Sequence, residues 1–126
     1  MSNWKHNART VISALAFLGV SAAMSHADSF GAISLSPETG ATGWSHDYNS
    51  RREAERVAQS HCFGNADDCR VAIWFKNGCG AVARGPDGWG ADWASGSRRA
   101  QRAALAACST RSYGCRIVRW QCSGAN

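Results

Sequence analysis

The sequence contains one pattern twice: CFGNADDCRVAIW at residues 62–74 and CSTRSYGCRIVRW at residues 108–120. In each copy six residues separate two cysteines, and Arg, a β-branched residue and Trp follow the second cysteine at the same spacing. A repeat of this detail indicates a duplicated structural unit. We therefore divide the chain into two repeats, about 30–77 and 79–123.

Around this pattern, each repeat is predicted to fold as strand, turn, strand, helix and strand. Ser50 and Glu53 form a capping box that begins a helix over residues 50–62, and alanines recur at helical spacing over residues 97–108. Pro-Glu-Thr-Gly and Pro-Asp-Gly segments suit tight turns between strands. The predicted fold is α+β: two ββαβ units forming one antiparallel sheet of about six strands, with both helices on one face.

The last strand differs between the repeats. Val71, Ile73 and Phe75 alternate along the first copy and are predicted to share a face, whereas Arg119 and Gln121 replace the last two of them in the second copy. One sheet face is therefore expected to be apolar in the first repeat and to carry arginine in the second. This divergence indicates a specialised surface, although drift on a solvated face would give the same pattern.

The six cysteines are expected to form three disulfides, because an even number in a small exported domain is typical of a disulfide framework. The repeat favours Cys62–Cys69 and Cys108–Cys115, which occupy equivalent places. Cys79–Cys122 is then the remaining pair, and this pattern is one of fifteen connectivities that six cysteines allow.

Residues 1–27 are predicted to be a signal peptide. Lys5 and Arg9 precede an apolar run over residues 11–24, and Ser-His-Ala ends at Ala27 with small residues at the positions that a signal peptidase requires. A retained membrane anchor is the alternative, but the run is shorter than the about 20 residues that cross a bilayer. We expect residues 28–126 to be a single periplasmic or secreted bacterial domain, without a stable membrane anchor after cleavage.

Composition sets further bounds on function. The chain has 126 residues, with 14 Lys+Arg against 9 Asp+Glu and a formal net charge of +5. That length favours one small domain over a multidomain enzyme. The positive charge is too modest to indicate a nucleic-acid partner, and an exported protein rarely meets one.

The search for catalytic chemistry assigns no catalytic residue. His46, followed by Asp47, is the only credible general base, and no nucleophile-elbow sequence surrounds Ser45 or Ser50. Zinc binding by His61 and the first three cysteines would need closer ligand spacing than the sequence has. We expect no metal and no cofactor, and a cell-wall hydrolase that uses His46 with an acid is the least favoured function.

Binding has better support, because tryptophan and arginine are the side chains that anchor many interfaces. The candidate binding residues lie in Gly-rich strand or turn stretches or on the divergent strand: Trp44, Trp89, Trp93, Arg84, Arg116 and Arg119. The alternative is that these tryptophans complete a small core. The repeat-equivalent Trp74 and Trp120 are expected to be core residues.

Three segments carry a family resemblance: FGAI at residues 30–33, CRVAIWFKNGCGA at 69–81 and RRAQRAALAAC at 98–108. Together with the cysteine framework, they resemble a family of small exported bacterial domains known as domain of unknown function 4189. The resemblance implies a bacterial exported location and a duplicated domain, and it brings no established activity and no functional residues.

We therefore expect a disulfide-stabilised, non-enzymatic binding module. Its partner would be another protein in the bacterial envelope or outside the cell, for example an enzyme or toxin that it inhibits. The alternative partner is a cell-wall or anionic polysaccharide.

Overall fold

The computed structural model describes residues 27–124 together with Gly19. The predicted signal peptide therefore lies outside the described residues, apart from Gly19 and Ala27. Six strands and two helices follow in the order β1 (Phe30–Leu35), β2 (Thr42–Tyr48), α1 (Arg51–Phe63), β3 (Arg70–Lys76), β4 (Cys79–Gly85), β5 (Gly88–Ala94), α2 (Ser97–Ser109) and β6 (Arg116–Cys122). The α+β class and the two ββαβ units are confirmed.

The six strands form two antiparallel three-stranded sheets, which corrects the expectation of one sheet. The strand orders are β2-β1-β3 and β5-β4-β6, so each repeat builds its own sheet. The central strands β1 and β4 are almost completely buried along their length, with little alternation between buried and exposed positions. A strand with this pattern is covered on both faces. Each sheet accordingly packs against a helix on one side and against the other sheet on the other side.

The resulting arrangement has four layers, in the order α1, first sheet, second sheet, α2. Ile33, Leu35, Phe75 and Val82 form a buried cluster between the two sheets. The alanines that neighbour them along β1 and β4 pack instead against the helix of their own repeat. The two helices do not contact each other, so they lie on opposite outer faces, not on one face as expected.

Small residues bring each helix close to its sheet. Ser50 caps α1 by accepting a hydrogen bond from the Glu53 N–H at 3.2 Å, as the capping box predicts. The buried residues of both helices are alanines at every fourth position, ending in a cysteine. Gly43 and Gly90 lie opposite them, and a Cβ atom on either glycine would overlap the backbone of the helix. Glycine is therefore required at these two positions for close packing.

A β-bulge in the last strand of each repeat changes which side chains share a face. Two consecutive residues of β1 pair with Ile73 and Val71 of β3, so the residue between these two has no partner. In the same way, two consecutive residues of β4 pair with Arg119 and Ile117 of β6. Ile117 consequently packs against the core beneath α2, whereas the bulge residue Val118 packs between the sheets. The expectation of strict alternation along these strands is therefore corrected, because a bulge inserts one extra residue.

Three disulfides cross-link the domain. They join Cys62 to Cys69, Cys108 to Cys115 and Cys79 to Cys122, the pairing expected from the repeat. The first two tie the end of each helix to the beginning of the following strand. The third joins β4 to β6 as directly opposed residues. Because all six cysteines are oxidised, none offers a thiolate to a metal or to a substrate.

Candidate functional site

One apolar groove lies where the edge of the first sheet faces the edge of the second, and we call it the Trp93 groove. It has a volume of about 260 Å³ and is lined by Ile73–Lys76 of β3 and by Trp93 of β5. The Trp93 side chain is 56% exposed, although it belongs to the row of β5 residues that faces the first sheet. Of the predicted binding residues, Trp93 is thus the tryptophan with the most accessible ring.

Two other predicted residues, Trp44 and Arg119, come together at the opposite end of the sandwich. The Arg119 guanidinium carbon lies 3.3 Å from the centroid of the Trp44 ring. Its Nη2 donates to Gln121 Oε1 at 3.2 Å, while its buried Nε has no hydrogen-bond partner among the described residues. Burial lowers the pKa of Arg119 from its ordinary value. The pair stacks a cation on an aromatic face and leaves that cation without a carboxylate.

The remaining predicted residues are not brought together with these. Trp89 is half-buried and packs against the core between the sheets. Arg84 donates to the carbonyl oxygens of Pro37 and Glu38 at 2.9–3.3 Å, so it stabilises the turn between β1 and β2 of the other repeat. Arg116 is exposed and lies directly across from Arg84.

Trp120 is exposed, which contradicts its predicted place in the core. Its side chain is 46% exposed, whereas the equivalent Trp74 is half-buried and packs against the cluster beneath α1. The cause of this difference is a change in sequence, because the residues that cover Trp74 have smaller or uncharged counterparts in the second repeat. The contacts that identify the covering residues are visible only in the structure.

The candidate hydrolytic residues do not converge. His46 Nδ1 and Asp47 Oδ2 are 2.8 Å apart. Ser45 instead donates to the Ala54 carbonyl beneath α1, and Ser50 caps that helix. Among the described residues, no serine hydroxyl hydrogen-bonds to His46, and no group of three His, Cys, Asp or Glu side chains could hold a metal ion.

Asp47 instead joins the two ends of the domain. Its Oδ1 accepts hydrogen bonds from the Gly124 N–H at 2.9 Å and from the Ser29 hydroxyl at 2.8 Å. Its own N–H donates to the Ser123 hydroxyl at 2.8 Å. The φ angle of 60° at Asp47 belongs to the left-handed region, which Asp tolerates better than most residues. We call these four residues the Asp47 latch.

The latch predicts a loss of stability in acid. The hydrogen bonds from the Gly124 N–H, His46 and Ser29 lower the pKa of Asp47 from 3.8 to about 2. As the pH falls, the Asp47 carboxylate is therefore protonated at a higher pH in the unfolded chain than in the folded chain. The stabilisation that its hydrogen bonds provide is complete above pH ~4 and is lost between pH ~4 and ~2. Asp47→Asn should flatten this part of a plot of thermal midpoint against pH. Parallel curves for the two proteins would contradict the prediction.

Fold and disulfides together define a small cross-linked α+β domain built from two ββαβ repeats. The chain belongs to the family described as domain of unknown function (DUF4189), whose model matches residues 30–122. It is also similar to a solved structure, the NMR structure of Rv1813c from Mycobacterium tuberculosis. That similarity has 29% identity and a TM-score of 0.54, and it covers 75% of this chain and 74% of that one. No curated protein sequence matches the chain significantly.

Proposed function

We propose that this chain is an exported, non-enzymatic module that binds another protein in the bacterial envelope or outside the cell. The observation that carries the proposal is Trp93, which stands 56% exposed beside an apolar groove. Tryptophans that fill or border such grooves are frequent anchors of protein interfaces. A partner that covers the ring would remove apolar surface from water, which favours binding.

The framework around the groove supports binding. Ile73 and Phe75 line the groove from β3, and both also contact the core between the sheets. Three disulfides add covalent cross-links to the same body. A preformed surface loses little conformational entropy when it binds, so more of the contact energy contributes to affinity.

Export is part of the proposal. Three disulfides are typical of proteins that fold in an oxidising compartment. Neither helix in the described part of the chain has the length and apolar character to cross a membrane. Together with the predicted signal peptide, these features support a periplasmic or secreted location.

To test the proposal, a partner is isolated from envelope extract, identified and purified, and its affinity for this protein is then measured. We expect a saturable complex that Trp93→Ser weakens at least about tenfold in a calorimetric titration, since anchoring aromatics commonly cost this much or more. Tyr113→Ser is the matched control, because Tyr113 is 72% exposed but lies in the loop between α2 and β6. Failure to obtain any saturable protein complex would refute the proposal.

An anionic polysaccharide is the second candidate partner. Residues 79–122 contain seven Arg against only two Asp, which favours a polyanion. Co-sedimentation with purified cell wall distinguishes the two candidates. Trp93→Ser is a better probe there than a substitution of Trp89, because Trp89 packs in the core and its loss would disturb the fold.

A further inference from the structure

A second groove runs along the outer strand of the second sheet, and we call it the β6 groove. It has a volume of about 510 Å³ and is lined by Ile117–Gln121 of β6 and by Gln101 of α2. Its walls therefore include five consecutive residues of one strand. Within the described chain β6 pairs only with β4, so the other side of its backbone has no strand partner. An open strand edge of this kind can accept an extended peptide as an additional strand.

Trp120 lines the β6 groove, and its equivalent in the first repeat, Trp74, is covered by other side chains. The Arg51 guanidinium carbon lies 4.4 Å from the centroid of the Trp74 ring. The charge of Arg51 is balanced by Glu55, with Nε and Oε1 2.5 Å apart. The Phe30 ring also stacks with Trp74, with the two ring centroids 6.4 Å apart. Three side chains of the same repeat thus occupy the surroundings of Trp74.

All three of these side chains are replaced in the second repeat. Ser97 and Gln101 occupy the positions of Arg51 and Glu55, and Cys79 occupies the position of Phe30 and forms a disulfide. The change removes the cation, its balancing carboxylate and the stacked ring together. Trp120 consequently stands 46% exposed at the β6 groove.

The surroundings of the groove carry positive charge that the chain does not neutralise. All four ion pairs found among the described residues lie within residues 28–76. None of the seven arginines of residues 79–122 forms an ion pair with a carboxylate of any described residue. Arg116 is exposed at the beginning of β6, and Arg119 lies at the groove with only Gln121 as a hydrogen-bond acceptor. Uncompensated arginines beside an interface select a negatively charged partner.

We propose that the β6 groove binds an extended acidic segment of a partner protein, which adds to β6 as a fourth strand of the second sheet. The backbone of the segment hydrogen-bonds to β6, its carboxylates lie beside Arg116 and Arg119, and an apolar side chain packs on Trp120. This inference goes beyond the proposed function, because the β6 groove lies at the opposite edge of the sandwich from the Trp93 groove and would be a second surface that binds protein. The open strand edge favours a peptide over a polysaccharide, because only a peptide supplies a repeating row of N–H and C=O groups.

The first test is NMR titration of the ¹⁵N-labelled, oxidised protein with a capped peptide of alternating Glu and Val. We expect saturable shifts of the backbone amides of residues 117–121 and of the Trp120 indole N–H. A peptide with Lys in place of Glu should bind at least about tenfold more weakly, because it meets like charge.

The repeat supplies a charge-neutral variant that closes the groove. Ser97→Arg combined with Gln101→Glu places over Trp120 the pair that covers Trp74, and it should weaken binding of the acidic peptide about tenfold or more while the protein stays folded. The matched control is Arg51→Ser combined with Glu55→Gln, which uncovers Trp74 and should leave the shifts at β6 unchanged. Since neither variant alters the net charge, a loss of binding reports the occupancy of the groove.

Four results would overturn the inference. The first is an absence of shifts at residues 117–121. The second is equal binding of an acidic peptide methylated on every backbone nitrogen, which has no N–H group with which to pair as a strand. The third is an equal response at these residues to an oligomer of uronic acid, which would assign the groove to polysaccharide. A protein complex that depends on Trp93 but produces no shift at β6 would refute this inference and leave the proposed function intact.

Discussion

Replacing Phe75 with Ala is expected to lower the free energy of unfolding by about 3–5 kcal/mol. The Phe75 side chain is only 1% exposed and packs between the two sheets with Ile33, Leu35 and Val82. Its ring also fills the space above two glycines, Gly31 and Gly80, where any Cβ atom would overlap it. The cavity left by Ala would be lined by backbone from both sheets, which cannot collapse without moving the layers together.

Phe63→Ala is the matched control for this substitution. Phe63 is 50% exposed at the end of α1, so its truncation should change stability by no more than about 0.5 kcal/mol. Denaturant unfolding of the oxidised proteins measures both values. An effect of Phe75→Ala no larger than that of Phe63→Ala would contradict the four-layer packing.

Removing the Cys79–Cys122 disulfide by alanine substitution of both cysteines should cost about 4 kcal/mol. The bond joins residues separated by 43 positions, whereas Cys62–Cys69 joins residues separated by 7. In the chain-entropy account, cross-linking restricts the unfolded chain more when the closed loop is longer. The short loop should therefore contribute less, about 2.5 kcal/mol.

The two short loops provide the comparison. Cys62–Cys69 and Cys108–Cys115 have the same sequence separation and equivalent positions, so their removal should cost similar amounts. Denaturant midpoints of the three double-alanine variants give the ranking. A short-loop variant that is less stable than the Cys79–Cys122 variant would refute the entropic explanation.

The secondary structure could be predicted from the capping box, the spacing of the alanines and the turn segments, and the disulfide partners could be predicted from the repeated segments around residues 62–74 and 108–120. These features are local, or they follow from equivalence between the repeats. The division into two sheets could not be predicted in the same way. Whether β1 and β4 belong to one sheet or to two facing sheets depends on contacts between segments distant in the chain. The available signal in the sequence was the scarcity of polar residues along β1 and β4, since a strand buried on both faces has no polar side.

The candidate site was predicted less completely. Trp93, one of the predicted binding residues, has an exposed ring, and two others, Arg119 and Trp44, contact each other; their role in binding stays a prediction. Arg84 was placed on a binding surface but is occupied by carbonyl groups of the first repeat. That contact depends on how the two sheets face each other. Trp120 was missed because the repeat motif preserves the tryptophan while its neighbours on the helix change.

The Asp47 latch has a consequence for chain connectivity. The same contact closes each repeat: the Asn77 N–H donates to the Ser29 carbonyl, and the equivalent Ser123 N–H donates to the Gly78 carbonyl. A peptide bond continues the first repeat into the second, whereas the hydrogen bonds of Asp47 join the end of the second repeat to the beginning of the first. A circularly permuted gene that links Gly124 to Asp28 and opens the chain at Gly78 would place the halves in reverse order with the same neighbours. Anything fused before Ser29 or after Gly124 would leave the domain from a single point.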